Sequence, residues 1–516
     1  MFDADISRID LTCPKTWELI SSGNTKGCFQ LESRLGRSMA KKLKPNNIEQ
    51  LSGLLSILRP GCLEAMRDGK SVSNHYIDKK NEQESIDYFH QALEPILKTT
   101  YGEMIYQEQA MEIARVIAGF NLQEADMLRK AIGKKKPEEM AKIKTKFIAG
   151  CKSMDIVSES QADQIFGWIE KSQRYSFNKS HAISYAMNCY LSAYAKAHFP
   201  RIFFAAYLRF AKDKIDPQTE IKELVQNAVE MNIEVRNPDI RMMNRLVELH
   251  NKCIYFGLTD IKGVGESAFD KLIKIVTDKK LDLAKMSWLD YLFLLSQINS
   301  VAAKALIQSG SLDFLKISRN LMLFEYNTFN NLTKKEQEVL SAVLDRTKGL
   351  NKNLYALSQQ KITNKRKEAI LQLIRSLEFP PYSLEDTIEW LADTENSLLG
   401  YSISCSKIDM YDISMVTCSC REFNNKQTNS NKNIMVAGEI ENVRAVKTKK
   451  GKNPGSEMAF VTINDGTAST DSIVYFPEAY RQFRNYLFPG NVIIVKGSRS
   501  SGNDGLIVEK TFIPRT

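Results

Sequence analysis

Residues Leu128–Met140 read LRKAIGKKKPEEM, and Tyr175–Ala186 read YSFNKSHAISYA. Both are helix edges, and reading them so makes the first half of the chain helical. Asn121-Leu-Gln-Glu124 has the form of a capping box, so one helix runs from there through Arg129 and Lys130 to a stop at Gly133. Pro137, Glu138 and Glu139 start the next, whose apolar stripe is Met140, Ile143, Phe147 and Cys151. Ser180 reads as the N-cap of a third helix that ends at Pro200. His181 then lies in the first turn, beside free N–H groups and the positive end of the helix dipole.

The charge in this stretch is one-sided. Between Arg129 and Lys152 stand nine Lys or Arg against two Glu. A solvated helix face accounts for Lys142, Lys144, Lys146 and Lys152. Lys134, Lys135 and Lys136 fall in the inter-helix turn, where no core explains them. With Arg129, Lys130, Asn178, Lys179 and His181 they are candidates for holding a highly charged phosphate. An ordinary capping or core histidine is the competing reading of His181. Arg59 closes the apolar run Leu51–Leu58 before Pro60-Gly61. It either offsets a helix dipole or contacts phosphate.

Towards the amino terminus, Pro14 marks a helix start and Arg34–Leu43 a basic amphipathic helix. Towards the carboxyl terminus a strand is expected at Ile254–Leu258. YFGLTDIKGVGESAFDKLIKIV then reads as helix, Gly263-Val264-Gly265, helix. Such a hairpin aims backbone N–H groups at a DNA phosphate without reading sequence, with Lys262 beside it. Val301–Phe314 looks like a degenerate second copy. Residues 320–400 are helical and rich in Lys, Glu and Gln, ending near Phe379-Pro380-Pro381. From Ile434 the pattern becomes five strands with a helix after the third, the oligonucleotide/oligosaccharide-binding (OB) barrel. Its first hairpin loop carries Lys447, Lys449, Lys450 and Lys452, and Phe460, Tyr475 and Phe476 are candidates for stacking on bases.

At 516 residues the chain is too long for one core, and its +10 charge permits nucleic acid without demanding it. Nine scattered cysteines, with only Cys418 and Cys420 close together, fit reduced thiols rather than a zinc site. No apolar run is long enough to span a bilayer, and the protein is expected to be soluble and intracellular.

Several motifs together resemble one family. GCFQLES (Gly27–Ser33), LRPG, TYGEMIYQEQAM, EADMLRKAIGKKKPEEMAK, YSFNKSHAISYA and FGLTDIKGVGE follow the order and spacing of bacterial, or phage-encoded, DNA polymerase III alpha subunits, the C-family replicative polymerases. SLLGYSIS and MAFVTINDG extend the resemblance to the carboxyl terminus. It implies a multidomain protein with four parts. They are helical fingers over residues 1–250, tandem helix-hairpin-helix elements over 251–325, a helical connection over 326–430 and an all-β OB barrel over 431–516. Arg129, Lys130 and His181 correspond to residues that contact the incoming dNTP. The family usually has a second arginine where this chain has Lys130, which puts a point charge in place of a bidentate fork.

The palm aspartates that hold two divalent metals precede the fingers in this family and have no counterpart here, so no metal ligand is assigned. The chain reads as half of a split polymerase, inactive without a palm- and thumb-bearing partner that binds most of the Mg2+. It is a separately encoded subunit, as in a virus or split gene, or a carboxyl-terminal fragment. Its expected partners are primer-template DNA, single-stranded template and that subunit. A sliding clamp is a further partner in the resemblance, but Gln337–Leu340 fits a clamp-binding peptide poorly. The alternative is a non-catalytic DNA-binding accessory of a replisome.

Overall fold

Helices begin where the chain supplies a cap or a proline. Pro14 opens α1 (Pro14–Ser21). Ser33 and Asn47 cap α2 (Arg34–Leu43) and α3 (Ile48–Ile57) by accepting the N–H of Gly36 and Gln50. There follow α4 (Pro60–Glu64), the short strands β1 (Met66–Arg67) and β2 (Lys70–Ser71), α5 (Val72–Lys80) and α6 (Glu94–Leu97). Next come α7 (Gln107–Ala118), α8 (Leu122–Lys134), α9 (Pro137–Met154), α10 (Glu159–Ser172) and α11 (Lys179–His198). The computed structural model describes residues 8–134, 137–172, 175–428, 431–448, 454–499 and 505–515, with side chains 132–134 and 137–138 also outside the description. It divides into two compact units, 1–200 and 201–516.

The first unit has two cores. Trp17, Ile20, Leu51, Leu54, Ala186 and Tyr190 join α1, α3 and α11, while Ile113, Ile117, Leu128, Phe147 and Phe166 join α7 to α10. Each fully buried large side chain contributes roughly 1.5–3 kcal/mol. The expected stripe of α9 is the buried one, with Met140, Phe147 and Cys151 inside and Ile143 packed against them. Gly150 lets α9 approach α7, since a Cβ there would lie 2.1 Å from the Ala118 carbonyl oxygen. The capping box at α8 is made: the Asn121 N–H donates to Glu124 and the Glu124 N–H to Asn121, both at 2.9 Å. The helix does not stop at Gly133, as expected, but continues to Lys134.

In the second unit come α12 (Pro200–Arg209), α13 (Pro217–Glu230), and a ribbon of β3 (Val235–Arg236), β4 (Glu248–His250) and β5 (Cys253–Tyr255) in the order β3-β5-β4. Then follow α14 (Glu266–Asp278), α15 (Trp288–Leu295), α16 (Ser300–Gln308), α17 (Arg319–Asn330), α18 (Lys334–Ala342), α19 (Leu350–Ser358), α20 (Asn364–Glu378), α21 (Ile388–Leu399) and α22 (Cys420–Asn424). The strand expected at Ile254–Leu258 is the shorter β5. The element before the glycine hairpin is not a helix but one 3-10 turn, Leu258–Asp260.

The barrel strands are β6 (Ile434–Lys447), β7 (Glu457–Asn464), β8 (Ser469–Tyr475), β9 (Val492–Arg499) and β10 (Leu506–Phe512), closed in the order β10-β8-β7-β6-β9. Helix α23 (Pro477–Phe483) lies between β8 and β9, as expected. Glu441 ties β6 to α13, accepting from Lys222 at 2.9 Å and Gln226 at 2.8 Å. Among the described residues no helix is long and apolar enough to cross a membrane.

Candidate nucleotide and nucleic-acid interface

The start of α11 is held by α7. Phe177 pairs with Tyr106 as an isolated parallel bridge, its N–H donating to the Ile105 carbonyl and its carbonyl accepting from the Gln107 N–H, both at 2.9 Å. The N-cap is Asn178 rather than the expected Ser180, and its Oδ1 accepts the His181 N–H at 2.9 Å. The anion expected at this helix end is partly supplied from within. Glu108, in the first turn of α7, accepts the Lys179 N–H at 2.9 Å and the Asn178 side-chain amide at 2.7 Å. An intramolecular carboxylate therefore already complements the positive end of the dipole.

His181 is exposed, in the first turn as expected. Its ring lies 5.2 Å from Phe177 and 4.1 Å from Tyr185, and Tyr185 lies 5.1 Å from Phe29. The Arg59 guanidinium sits 3.7 Å over the Phe177 ring. Arg59 is the N-cap residue of α4, two residues past the end of α3, and its guanidinium contacts this ring. Arg59, Phe177 and Tyr185 line a cavity of 230 Å³ together with Gln30, Ser33 and Leu35. Gln30 is held at φ +65, a left-handed conformation that side chains rarely adopt. Lys179 pairs with Glu49 at 3.2 Å and lies 5.6 Å from the Tyr106 ring.

A second cationic group stands on α8. Asp126 accepts from Arg129 Nη2 at 2.8 Å and pairs with Lys130 at 2.7 Å. Hydrogen bonds from Lys130 and Arg129 hold the Asp126 carboxyl below its usual range. Among the described contacts none joins this group to Arg59 or His181. The side chain of Lys134, and Lys135 and Lys136 entirely, lie outside the described residues. Sequence reasoning missed Glu108, Asp126, Phe29 and Tyr185. The four-residue spacing of Phe177, His181 and Tyr185, and that of Asp126 and Lys130, was the available signal.

The glycine hairpin rests on α16. Gly263 has φ +100, and a Cβ there would lie 3.4 Å from Val301 and 3.5 Å from Ala305. Val264 is buried and Lys262 exposed, and Gly265 caps α14, whose first N–H groups lack partners within the helix. Arg245 pairs with Glu266 and Asp270 beside this end. In the barrel, Arg444 lies opposite Phe460 across β6 and β7, with its guanidinium 5.0 Å from the ring centroid. Phe476 is exposed, but Tyr475 is no stacking platform: it is fully buried and its hydroxyl bonds Thr511 at 2.9 Å. Lys447 is exposed, whereas Lys449, Lys450 and Lys452 lie outside the described residues. Among the described residues no group of three or more His, Cys, Asp or Glu is placed to hold a metal ion.

Comparison with known proteins joins these parts. Residues 2–155 match the bacterial DNA polymerase III alpha subunit finger domain, 232–322 a helix-hairpin-helix motif, and 434–513 an OB-fold nucleic acid binding domain. The DNA polymerase III subunit alpha of Aquifex aeolicus (strain VF5) is 30% identical over 99% of the chain. The chain is a relative of the bacterial DNA polymerase III alpha subunits. The corresponding proteins of Borreliella burgdorferi and Haemophilus influenzae are each 30% identical, over 98% and 96% of the chain. The chain spans 40–42% of the length of these three alpha subunits, in their carboxyl-terminal half.

Proposed function

We propose that this chain is the fingers and DNA-holding portion of a replicative DNA polymerase, binding an incoming dNTP and primer-template while another chain supplies the palm aspartates and most of the Mg2+. The reading rests above all on the row of Arg59, Phe177, His181 and Tyr185 at the start of α11. A cation beside partly exposed aromatic rings is what a nucleoside triphosphate requires, with charge for the phosphates and π surface for the nucleoside.

Arg129 and Lys130 are the principal phosphate cations in this proposal, with Lys179 and the lysines at 134–136 around them. Their pairing with Asp126 does not forbid it. Half-exposed ion pairs are worth only about 0–1 kcal/mol, so a triphosphate carrying several negative charges displaces the carboxylate at little cost. Nucleotidyl transfer then depends on positioning and charge neutralisation, to which this chain contributes cations. The hairpin at Lys262–Gly265 and the Arg444–Phe460 surface hold primer-template and single-stranded template. The proposed location is the cytoplasm.

A non-catalytic DNA-binding accessory is the second reading, favoured by the Asp126 and Glu108 contacts that already neutralise part of the cationic surface. Equilibrium binding separates the two. The chain, its palm-bearing partner and primer-template are titrated with the next correct dNTP while complex stability is followed. A nucleotide-dependent tightening that Arg129→Ala abolishes fits the first reading. Salt-sensitive DNA binding indifferent to nucleotide fits the second.

A further inference from the structure

Nine thiols are present, and six of them are buried. The other three, Cys13, Cys253 and Cys405, are half-buried, and their neighbours differ. Cys253 donates to the Glu234 carboxylate at 3.1 Å, which opposes a thiolate. Cys405 lies 3.7 Å from both the Ser402 hydroxyl and the Ile388 carbonyl oxygen, and burial raises its pKa. Cys13 faces an imidazole: its Sγ is 3.2 Å from Nε2 of His198, the last residue of α11.

We propose that Cys13 and His198 form a reactive thiol–imidazole pair, a site of reversible oxidation by hydroperoxides. The geometry supplies each requirement. His198 is stacked on Tyr194 with ring centroids 4.1 Å apart, so the imidazole has a fixed plane and its Nε2 stays on the sulfur. Cys13 is the N-cap of α1, and its side chain makes no capping bond, so sulfur at the positive end of an eight-residue helix is left for the histidine. Partial burial and the nearby Lys15 keep the imidazole below its usual pKa, so near neutral pH Nε2 is unprotonated and faces the thiol as an acceptor. The same shift weakens it as a base, and the positive end of α1 is what favours the thiolate. Asp10 is the nearby acidic side chain on the same segment. Its carboxyl is engaged by the Thr12 hydroxyl at 2.6 Å and the Thr12 N–H at 2.8 Å.

The reaction balances within the pair and the oxidant. The Cys13 proton passes to Nε2, and the thiolate attacks the hydrogen-bearing oxygen of the hydroperoxide. An S–O bond forms as the O–O bond breaks. The leaving hydroxide or alkoxide takes the proton from the imidazolium. Cysteine is oxidised to sulfenic acid, and the hydroperoxide is reduced to water or an alcohol. A thiol restores the cysteine by way of a mixed disulfide.

The test uses the full chain and its own cysteines as controls. Limited iodoacetamide at pH 7 is followed by peptide mass spectrometry of every cysteine. Hydrogen peroxide with a dimedone trap is run in parallel. Cys13 is expected to alkylate about tenfold faster than Cys253 and Cys405 and to be the main dimedone adduct. His198→Gln should bring its rate down to theirs while leaving theirs unchanged, which also reports that the variant is folded. The proposal is overturned if Cys13 reacts no faster than those two thiols in the unmodified protein, or if His198→Gln leaves its rate unchanged. A peroxide treatment that places dimedone elsewhere overturns it as well.

Discussion

Replacing Asn178 with aspartate tests the electrostatic arrangement at the start of α11 most sharply. Asparagine there does two jobs: Oδ1 caps the His181 N–H, and Nδ2 donates to Glu108 at 2.7 Å. Aspartate keeps the cap, and on capping preference alone the change is neutral. It removes the donor, however, and sets two carboxylates at hydrogen-bond distance. The lost bond to a charged acceptor is worth about 1.5–3 kcal/mol. Repulsion between unit charges at roughly 4 Å is at most about 4 kcal/mol at an effective dielectric of 20, and solvent exposure of residue 178 reduces it well below that. A net local loss of about 2 kcal/mol at pH 7.5 follows. The loss should shrink below about pH 5, where one proton shared between the carboxyl groups restores a hydrogen bond. Hydrogen exchange of the amides at 181–186 reads this as faster local opening. Asn178→Asp amides as protected as wild type at pH 7.5, or a loss unchanged at low pH, would refute the claim that Glu108 is the anion at this helix end.

Four further outcomes follow from the same contacts. Gly263→Ala places a side chain at φ +100 and should cost about 1–2 kcal/mol with weaker duplex binding, measured by thermal unfolding and fluorescence anisotropy. Tyr475→Phe removes the bond to Thr511 and should lower barrel stability by about 1 kcal/mol without changing single-strand affinity. Phe476→Ala should do the reverse, weakening single-strand binding with little effect on stability. The Arg366 guanidinium is the main reason the Glu336 carboxyl is lowered to about 2. Stability from that depressed value is present above the unfolded carboxyl's pKa near 4.5 and is lost as pH falls towards 2. Arg366→Ala should therefore flatten the pH dependence between those values, and acid titration of the unfolding midpoint checks it.

The local signals in the chain were reliable where one short segment decided the outcome. Ser33 and Pro14 mark their helix starts, Asn121 and Glu124 close the capping box, and alternation with a helix after the third strand gives the barrel. They failed where a distant partner decided it. Asn178 and Ser180 are both good caps, and the choice between them comes with Glu108, seventy residues away in sequence. Tyr475 was a stacking candidate by residue type alone, but it shares the inward face of β8 with Ile473, and both are fully buried. The turn at Leu258–Asp260 looked helical from composition, but Asp260 accepts the Gly257 N–H and closes a single 3-10 turn between β5 and Gly263. In the candidate site the cations were legible by type and position. Their acidic partners and the ring row were not, because they depend on which helices meet.

Primer extension tests the central claim most directly. The chain is mixed with a separately produced palm- and thumb-bearing polypeptide, primer-template, Mg2+ and dNTPs. The account predicts templated synthesis only when both polypeptides are present, falling at least about tenfold with Arg129→Ala, the loss of one strong charge-assisted phosphate contact. Synthesis by the palm-bearing polypeptide that is indifferent to this chain, or mixed synthesis unchanged by Arg129→Ala, would contradict it.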